Sequence, residues 1–225
     1  MHLDVFEKRI VINLPDRADR RRDMERELRR ANITAEFFPA IRPESADPFH
    51  MLGVKGAYMS HLAALKQATG ASSALIMEDD LNFVRDIDRM SVVSRLPDDW
   101  AIFYCSYIGL DHAGGAPEIR PMPKTLEVIG THFYAINGWA IPKVVEKLET
   151  FLTRERDHSE GGPMPIDGAI NIIRQQEPSM IAYVASPGLG YQRHSRSDIT
   201  GKWFDRTFIS PVFERVRCAR NFFTR

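Results

Sequence analysis

The order of apolar and polar positions along the chain predicts strands and helices that alternate. Short apolar runs, typical of buried strands, are separated by longer stretches in which apolar residues recur at helical spacing. Such alternation is typical of an α/β fold in which a mainly parallel sheet is covered by helices on both faces. Strands are predicted at 9–14, 36–41, 74–77, 100–107, 131–136 and 180–185, and helices at 17–31, 53–68 and 86–94 and from Pro142 and Asp167 onward.

Stretches without a clear period are predicted to be loops, and they lie at 109–124, 154–165 and 187–200. No boundary divides the pattern, so we expect a single domain over 1–205. The remaining segment, 206–225, is predicted to be a basic amphipathic tail. Such a helix can lie on an anionic membrane surface or dock onto the domain itself, and the sequence leaves both possibilities open.

The apolar run at 74–77 ends in three consecutive carboxylates, Glu78, Asp79 and Asp80. Like charges held together at the end of a buried strand cost free energy unless a cation or a set of hydrogen-bond donors lies among them. Because side chains alternate along an extended chain, we expect Glu78 and Asp80 on one side and Asp79 on the other. Two carboxylates can hold a hard divalent ion and leave positions for phosphate oxygens. The alternative is a surface turn in which the acids cap the next helix.

Other polar residues stand out from their surroundings. Arg20 comes just past the carboxyl end of the first predicted strand, where open α/β sheets bind ligands, so it could meet a phosphate. Most other arginines of that helix are expected on a solvated face. Ser60 and His61 interrupt the apolar face of the helix at 53–68. A histidine in this position is either a core residue with satisfied hydrogen bonds or part of a site.

Composition narrows the class of protein. The 30 basic and 30 acidic residues cancel, so no global field favours nucleic acid. The two cysteines, Cys105 and Cys218, lack metal-ligand spacing, which argues against a disulfide framework and fits a reducing compartment. No apolar run approaches the ~18 residues of a membrane span, and the N-terminus lacks the apolar region of a signal peptide. We therefore expect a cytoplasmic protein, peripheral on the inner face of the membrane if the tail binds lipid.

Five pieces of the chain, taken in order, resemble glycosyltransferase family 25, which contains lipooligosaccharide β-galactosyltransferases and procollagen galactosyltransferases. The pieces are Val11–Leu14 with Arg20 beyond it, Gly56–His61, Ile76–Asp80, Thr131–Ile136 and Pro165–Asp167. The resemblance runs from about Arg9 to Gln192, and in it the acidic triplet looks like the family's equivalent of the Asp-x-Asp motif. One departure is Ala57, which stands where many members carry a cysteine.

The resemblance implies a GT-A-like nucleotide-sugar fold and an inverting transfer of a hexose, with galactose expected, from a UDP-sugar to a hydroxyl of a glycan or lipooligosaccharide acceptor. It implies a divalent cation, Mn²⁺ or Mg²⁺, bound by Asp80, Glu78 and His194, although an exposed loop histidine without a ligand is an alternative for His194. The implied donor-binding residues are Asn13, Leu14, Arg20, Ser60, His61, Glu78 and Asp79.

An inverting transfer needs a base that takes the proton of the acceptor hydroxyl. By resemblance, the candidate is Asp167, and the alternative for this residue is an N-cap. Asp111 and His112, in the loop at 109–124, are poorer candidates, because a mobile loop positions a base badly until it closes. Residues expected on the acceptor side are Asp111, Trp139 and Gln192, of which Trp139 could stack on a sugar or belong to the core.

Two further functions stay open at this point. A metal-dependent phosphohydrolase could use the same acids, although it would usually need more acids and histidines at strand ends. A non-catalytic module that binds sugar nucleotides or glycans could also keep this fold, but the intact Glu78, Asp80 and Asp167 argue against it.

Overall fold

The structure is a computed structural model, and it describes residues 3–85, 87, 96–112, 117–156 and 158–193. The described residues fall within one compact unit. The predicted tail at 206–225 and nearly all of the short helix predicted at 86–94 lie outside them, so the division into domain and tail stays a prediction. No helix of the described residues has the length and apolar character needed to cross a membrane.

Four helices and nine strands make up the regular structure of the described residues, together with a short 3-10 turn at Leu3–Val5. The helices are α1 (Ala18–Ala31), α2 (Leu52–Gln67), α3 (Ile141–Leu152) and α4 (Ile166–Gln176). The strands are β1 (Lys8–Asn13), β2 (Glu36–Pro39), β3 (Ser73–Glu78), β4 (Leu81–Phe83), β5 (Ile102–Ser106), β6 (Glu118–Met122), β7 (Phe133–Asn137), β8 (Ala182–Ser186) and β9 (Gly190–Gln192).

Seven of these strands form one sheet in the order β2-β1-β3-β7-β5-β8-β6. Strands β2, β1, β3, β5 and β8 run in one direction, whereas β7 and β6 run against their neighbours. The prediction of an α/β fold with a mainly parallel sheet is therefore confirmed. Because β7 is antiparallel and lies between β3 and β5, the residues just before β7 meet the residues at the carboxyl end of β3.

Helices cover both faces of the sheet, as the alternating pattern predicts. Side chains of α2, α3 and α4 pack on one face, where they meet Ile10, Ile76 and Tyr134. Side chains of α1 pack on the other face, where Met24, Leu28 and Ala31 are buried against Val11 and Met77. Strand residues contribute to the two faces in turn, so successive positions of β3 face α2 and α1 alternately.

Two strands lie where the sequence predicts loops. Strand β6, inside 109–124, pairs only with β8 and therefore forms an edge of the sheet, where its Pro121 costs no ladder hydrogen bond. Strand β9, inside 187–200, pairs with β4 in a separate two-stranded sheet. Three-residue strands such as β4 and β9 are too short to show a period in the sequence, and proline hides β6.

Gly138 and Gly168 give a test of this packing. A Cβ on Gly138 would lie 2.2 Å from the Ala71 carbonyl oxygen, whereas a Cβ on Gly168, within α4, would meet nothing closer than 3.6 Å. We expect Gly138→Ala to lower the free energy of unfolding by about 1–3 kcal/mol through overpacking against backbone. Gly168→Ala should raise it by about 0.5–1 kcal/mol through helix propensity. Urea unfolding of both variants measures these changes, and equal effects would contradict the described packing.

Candidate active site

Glu78, the last residue of β3, is held by a histidine of α2. The Nε2 atom of His61 lies 3.5 Å from Oε1 of Glu78, and its Nδ1 atom lies 3.0 Å from the hydroxyl of Tyr134. Burial raises the pKa of Glu78, but the hydrogen bond and charge of His61, with His132 and Arg20, outweigh it and lower the pKa below its ordinary value. The carboxylate is therefore ionised at neutral pH, and His61 belongs to the site as well as to the core.

Ser60, the neighbour of His61, has a structural role. Its hydroxyl donates to the Gly56 carbonyl at 2.6 Å and accepts from the Ile41 backbone N–H at 2.8 Å. These bonds fix the chain after β2 against α2. The expectation that Ser60 contacts a donor stays untested, but both polar functions of its hydroxyl are already occupied.

Asp79 turns to the opposite face and meets the carboxyl end of β1. Its carboxylate accepts from Asn13 Nδ2 at 2.7 Å and from Arg20 at 2.9 Å. The Leu14 carbonyl accepts from the Arg17 N–H at 2.9 Å, and this turn leads from β1 into α1 and places Arg20 over the acids. Arg20, expected at a phosphate, thus forms a buried ion pair with the acidic triplet in this structure.

Asp80 is held between Arg20 and β9. Its Oδ2 atom lies 3.4 Å from Arg20 NH1, and the Gln192 side-chain amide donates to its two carboxylate oxygens at 3.2 and 3.4 Å. The Arg193 backbone N–H donates to the Asp80 carbonyl at 2.7 Å. The strand ends at Glu78, so the predicted alternation does not continue to Asp80, which shares Arg20 with Asp79. Gln192, expected on the acceptor side, lies at the acids themselves.

One stripe of α1 connects the acids to the small sheet of β4 and β9. Its members recur at intervals of three and four residues: Arg20, Asp23, Glu27 and Arg30. Asp23 pairs with Arg193 at 3.1 Å. Glu27 accepts from the Phe83 backbone N–H at 3.1 Å, and Arg30 donates to the Phe83 carbonyl at 2.8 Å. The sequence predicts a solvated face here, and this stripe is the exception to it.

The protein neutralises the negative charge of the three acids only in part. Burial raises the pKa of Asp79, although Asn13 and Arg20 act in the opposite direction. Burial and the negative charge of Glu78 raise the pKa of Asp80 to about 7, against the lowering effect of Arg20. An added cation near Asp80 would relieve this repulsion.

Asp167, the expected base, is the second residue of α4, and the N-cap position belongs to Pro165. Its carboxylate accepts from the backbone N–H groups of Gly168 and Gly130, each at 2.9 Å. Gly130 lies two residues before His132, whose carbonyl accepts from the Glu78 N–H at 2.9 Å. Asp167 therefore reaches the edge of the sheet at which the acids lie. A carboxylate has roughly four acceptor positions, so it can still accept a proton.

The other two residues predicted on the acceptor side, Asp111 and Trp139, lie in different parts of the structure. The Asp111 carbonyl accepts from the Gly188 N–H at 2.8 Å, so this loop lies against the segment that leads into β9. Trp139 follows β7, and its neighbour Gly138 donates to the Ser72 carbonyl at 2.8 Å, beside the start of β3. Trp139 thus lies at the edge opposite the acids, because an antiparallel strand ends where its parallel neighbours begin. Its role on the acceptor side stays a prediction.

The sequence pattern does not single out His132, and it offers His112 only as a poorer candidate for the base. His132 is 2% exposed and sits beside Glu78 and His112, and burial lowers its pKa. The ring of His112 lies 5.9 Å from that of Tyr191 in β9. In the sequence, His132 is marked only by its place just before a predicted strand. It lies beside the acids because that strand, β7, runs antiparallel to β3. His194, an expected metal ligand, lies outside the described residues.

Three ligating side chains of His, Cys, Asp or Glu do not converge anywhere in the described part of the chain. The fit of a divalent ion therefore depends on the adjacent carboxylates Glu78 and Asp80, whose repulsion raises the Asp80 pKa. Carboxylate oxygens are suitable ligands for Mg²⁺ and Mn²⁺, and such ions take the remaining ligands from water and phosphate. The donor set fits an ion of this kind.

No family model matches the sequence. Over 96 residues the chain is 40% identical to "Putative glycosyltransferase R655" of Acanthamoeba polyphaga mimivirus, a match that covers 34% of this chain and 29% of that protein. The match thus spans 29% of the length of this curated relative, which is less than a third. The match is to a glycosyltransferase in general and does not single out family 25.

Similar solved structures include a glycosyltransferase involved in the glycosylation of the major capsid of PBCV-1, with a TM-score of 0.37, 11% identity, and coverage of 62% of this chain and 65% of that one. Another is the inositol-1-phosphate CTP transferase from T. maritima, with a TM-score of 0.43, 12% identity, and coverage of 93% and 76%. Likenesses at these TM-scores carry no argument about the function.

Asp80→Asn should stabilise the ligand-free protein at about pH 8, because it removes one of three adjacent carboxylates. The folded-state pKa of about 7 exceeds the ordinary 3.8, so the stability from this group is complete below the ordinary value and is lost as the pH rises through about 7. We expect a gain on the order of 2 kcal/mol at high pH that disappears near the ordinary pKa.

Thermal unfolding at both pH values measures this gain. The exposed Asp98→Asn is the matched control and should change little at either pH. A loss of stability in Asp80→Asn at high pH would mean that Arg20 and Gln192 more than balance the charge.

Proposed function

We propose that this protein is a glycosyltransferase that moves a hexose from a nucleotide-diphosphate sugar to a hydroxyl of a glycan or glycolipid. The observation that carries the proposal is the acidic triplet at the carboxyl end of β3, of which Asp79 and Asp80 are buried and Glu78 is partly buried. Arg20 and His61 hold it at the edge where α/β sheets bind ligands. The local identity to the mimivirus protein supports the same class. The resemblance to family 25 favours UDP-galactose as donor and inversion at the anomeric carbon.

The acids and Arg20 would prepare the site for a diphosphate. Arg20 fixes Asp79 and Asp80, and Asn13 fixes Asp79 from β1, so the carboxylates are oriented before any ligand arrives. A divalent cation bound by Asp80 and Glu78 would supply neutralisation of the charge that develops on the leaving diphosphate. His61 keeps Glu78 ionised and oriented for this task.

Asp167 would take the proton from the acceptor. In the transfer, the acceptor oxygen forms a bond to the anomeric carbon, the bond from that carbon to the diphosphate oxygen breaks, and the hydroxyl proton passes to Asp167. The bonds from Gly130 and Gly168 hold the carboxylate in one orientation. The acceptor hydroxyl becomes acidic as the new bond forms, so an oriented carboxylate suffices as the base.

The first test is turnover of UDP-galactose and UDP-glucose with Mn²⁺, followed as UDP release with and without soluble glycan acceptors. We expect release that increases with acceptor, stops with a chelator, and falls ~10²–10³-fold in Asp80→Asn, the usual effect of losing one charge-stabilising group. Glu118→Gln, an exposed carboxylate on β6, is the control and should not change the rate. Phosphate release from simple esters would instead indicate a phosphohydrolase, and binding without turnover would indicate a module.

Asp167→Asn tests the base. Asparagine has one acceptor oxygen for the two N–H groups that Asp167 now satisfies, so the variant should lose about 1–3 kcal/mol of stability. The transfer rate per folded molecule should fall by ~10²–10⁴, while UDP-sugar binding is almost unchanged. Rates are measured well below the melting temperature of the variant. If the rate per folded molecule stays intact, Asp167 only orients the segment before β7.

A further inference from the structure

Unpartnered polar atoms gather at the carboxyl edge of the sheet, beside the acids. In the described part of the chain, both ring nitrogens of His132, Nδ1 of His112 and the hydroxyl of Ser106 are buried without a hydrogen-bond partner. His132 precedes β7, and Ser106 ends the neighbouring strand β5. Buried polar groups are nearly always paired in folded proteins, so a histidine that lacks both partners needs an explanation.

His132 faces the same side of the sheet as Glu78. Met77 pairs with Phe133 and both pack on the α1 face, whereas Ile76 pairs with Tyr134 and both pack on the α2 face. The next pair along the two strands is Glu78 and His132, joined by the backbone bond from the Glu78 N–H to the His132 carbonyl. Alternation therefore puts both side chains on the α2 face, and the electrostatic influence of each on the other agrees with this.

The contrast with His61 shows that His132 is not an ordinary core histidine. Both residues neighbour Glu78 and are almost completely buried, at 1% and 2% exposure. His61 uses one nitrogen on Tyr134 and the other on Glu78. Among the described residues neither nitrogen of His132 has a hydrogen-bond partner, so both nitrogens are left for something that the protein binds.

The chemistry of the imidazole selects the kind of ligand. A neutral imidazole carries one donor and one acceptor whichever tautomer is present, and a sugar hydroxyl carries the same two functions. Phosphate oxygens accept only, so they suit the guanidinium of Arg20 or a bound cation instead.

Gly130 lies beside His132 and the exposed Ile108. Its φ is +89°, and a Cβ there would lie 2.9 Å from Ile108 Cγ1 and 3.3 Å from His132 Nδ1. Ile108 is 48% exposed, and exposed side chains change rotamer readily. A side chain at position 130 would therefore crowd the imidazole, which glycine avoids.

We propose, building on the proposed transferase function, that His132 hydrogen-bonds a hydroxyl of the hexose in the bound sugar nucleotide. Glu78, on the adjacent strand and fixed by His61, faces the same hexose as a second acceptor. The two residues would distinguish a nucleotide-diphosphate hexose from the nucleotide diphosphate alone.

The test compares His132→Phe with His61→Phe in the full chain. Phenylalanine keeps the ring and removes both nitrogens. Without ligand, His132→Phe should melt at or above the wild-type temperature, because it removes two unpaired buried atoms, whereas His61→Phe should melt lower, because it leaves Glu78 and Tyr134 unpaired. Calorimetric titration with Mn²⁺ present should show unchanged binding of UDP to His132→Phe and about tenfold weaker binding of the UDP-hexose that wild type prefers.

Three outcomes would overturn the proposal. If His132→Phe binds UDP and UDP-hexose as wild type does, a buried water accounts for the imidazole. If it melts as low as His61→Phe, His132 has a structural partner within the fold. If wild type binds no UDP-hexose at all, the transferase function fails together with this inference, whereas either of the first two results leaves that function intact.

Discussion

The constraint on which this site depends is the crowding of three adjacent carboxylates at the end of a central strand, where Asp79 and Asp80 are buried and Glu78 is partly buried. The protein meets it from both faces of the sheet, with Arg20 of α1 on Asp79 and Asp80 and His61 of α2 on Glu78. A single guanidinium cannot balance two carboxylates, so a net negative charge stays in a poorly solvated place. Buried charge of this kind weakens a fold unless it is paired. Its presence at the edge where such sheets bind ligands is the physical reason to regard it as a binding site.

The antiparallel strand β7 assembles the rest of the site around those acids. It enters the sheet between two parallel strands, so the turn before it, with Gly130 and His132, lies beside Glu78. Asp167 holds this turn through the Gly130 N–H, so the candidate base and the acids are connected through three residues of backbone. The same strand direction carries Trp139 to the far edge. A single topological feature thus decides which polar residues can act together.

The sequence predicts the long elements of this fold and the residues at strand ends, because both leave a local signal. The apolar runs of β1 and β3 place the acids and Arg20 at the carboxyl ends of strands, whereas the period of α2 leaves His61 open between core and site. The direction of β7 leaves no local signal, since an apolar run reads the same in both directions. This explains why the sequence does not show that Trp139 lies at the opposite edge or that His132 lies beside the acids. Gln192 belongs to a three-residue strand and meets Asp80 through a contact 112 residues away in sequence, which no local pattern encodes.

The stripe of Arg20, Asp23, Glu27 and Arg30 has a consequence for how the molecule tolerates change. These four side chains come from one helix and contact the acidic turn, Arg193 and the backbone of Phe83. A displacement of α1 would therefore move all of these contacts in concert. The effects of substitutions along the stripe on the free energy of unfolding are expected to be non-additive, since losing one contact changes the geometry of the others. The register of α1 against the sheet therefore positions these contacts as a set and not one residue at a time.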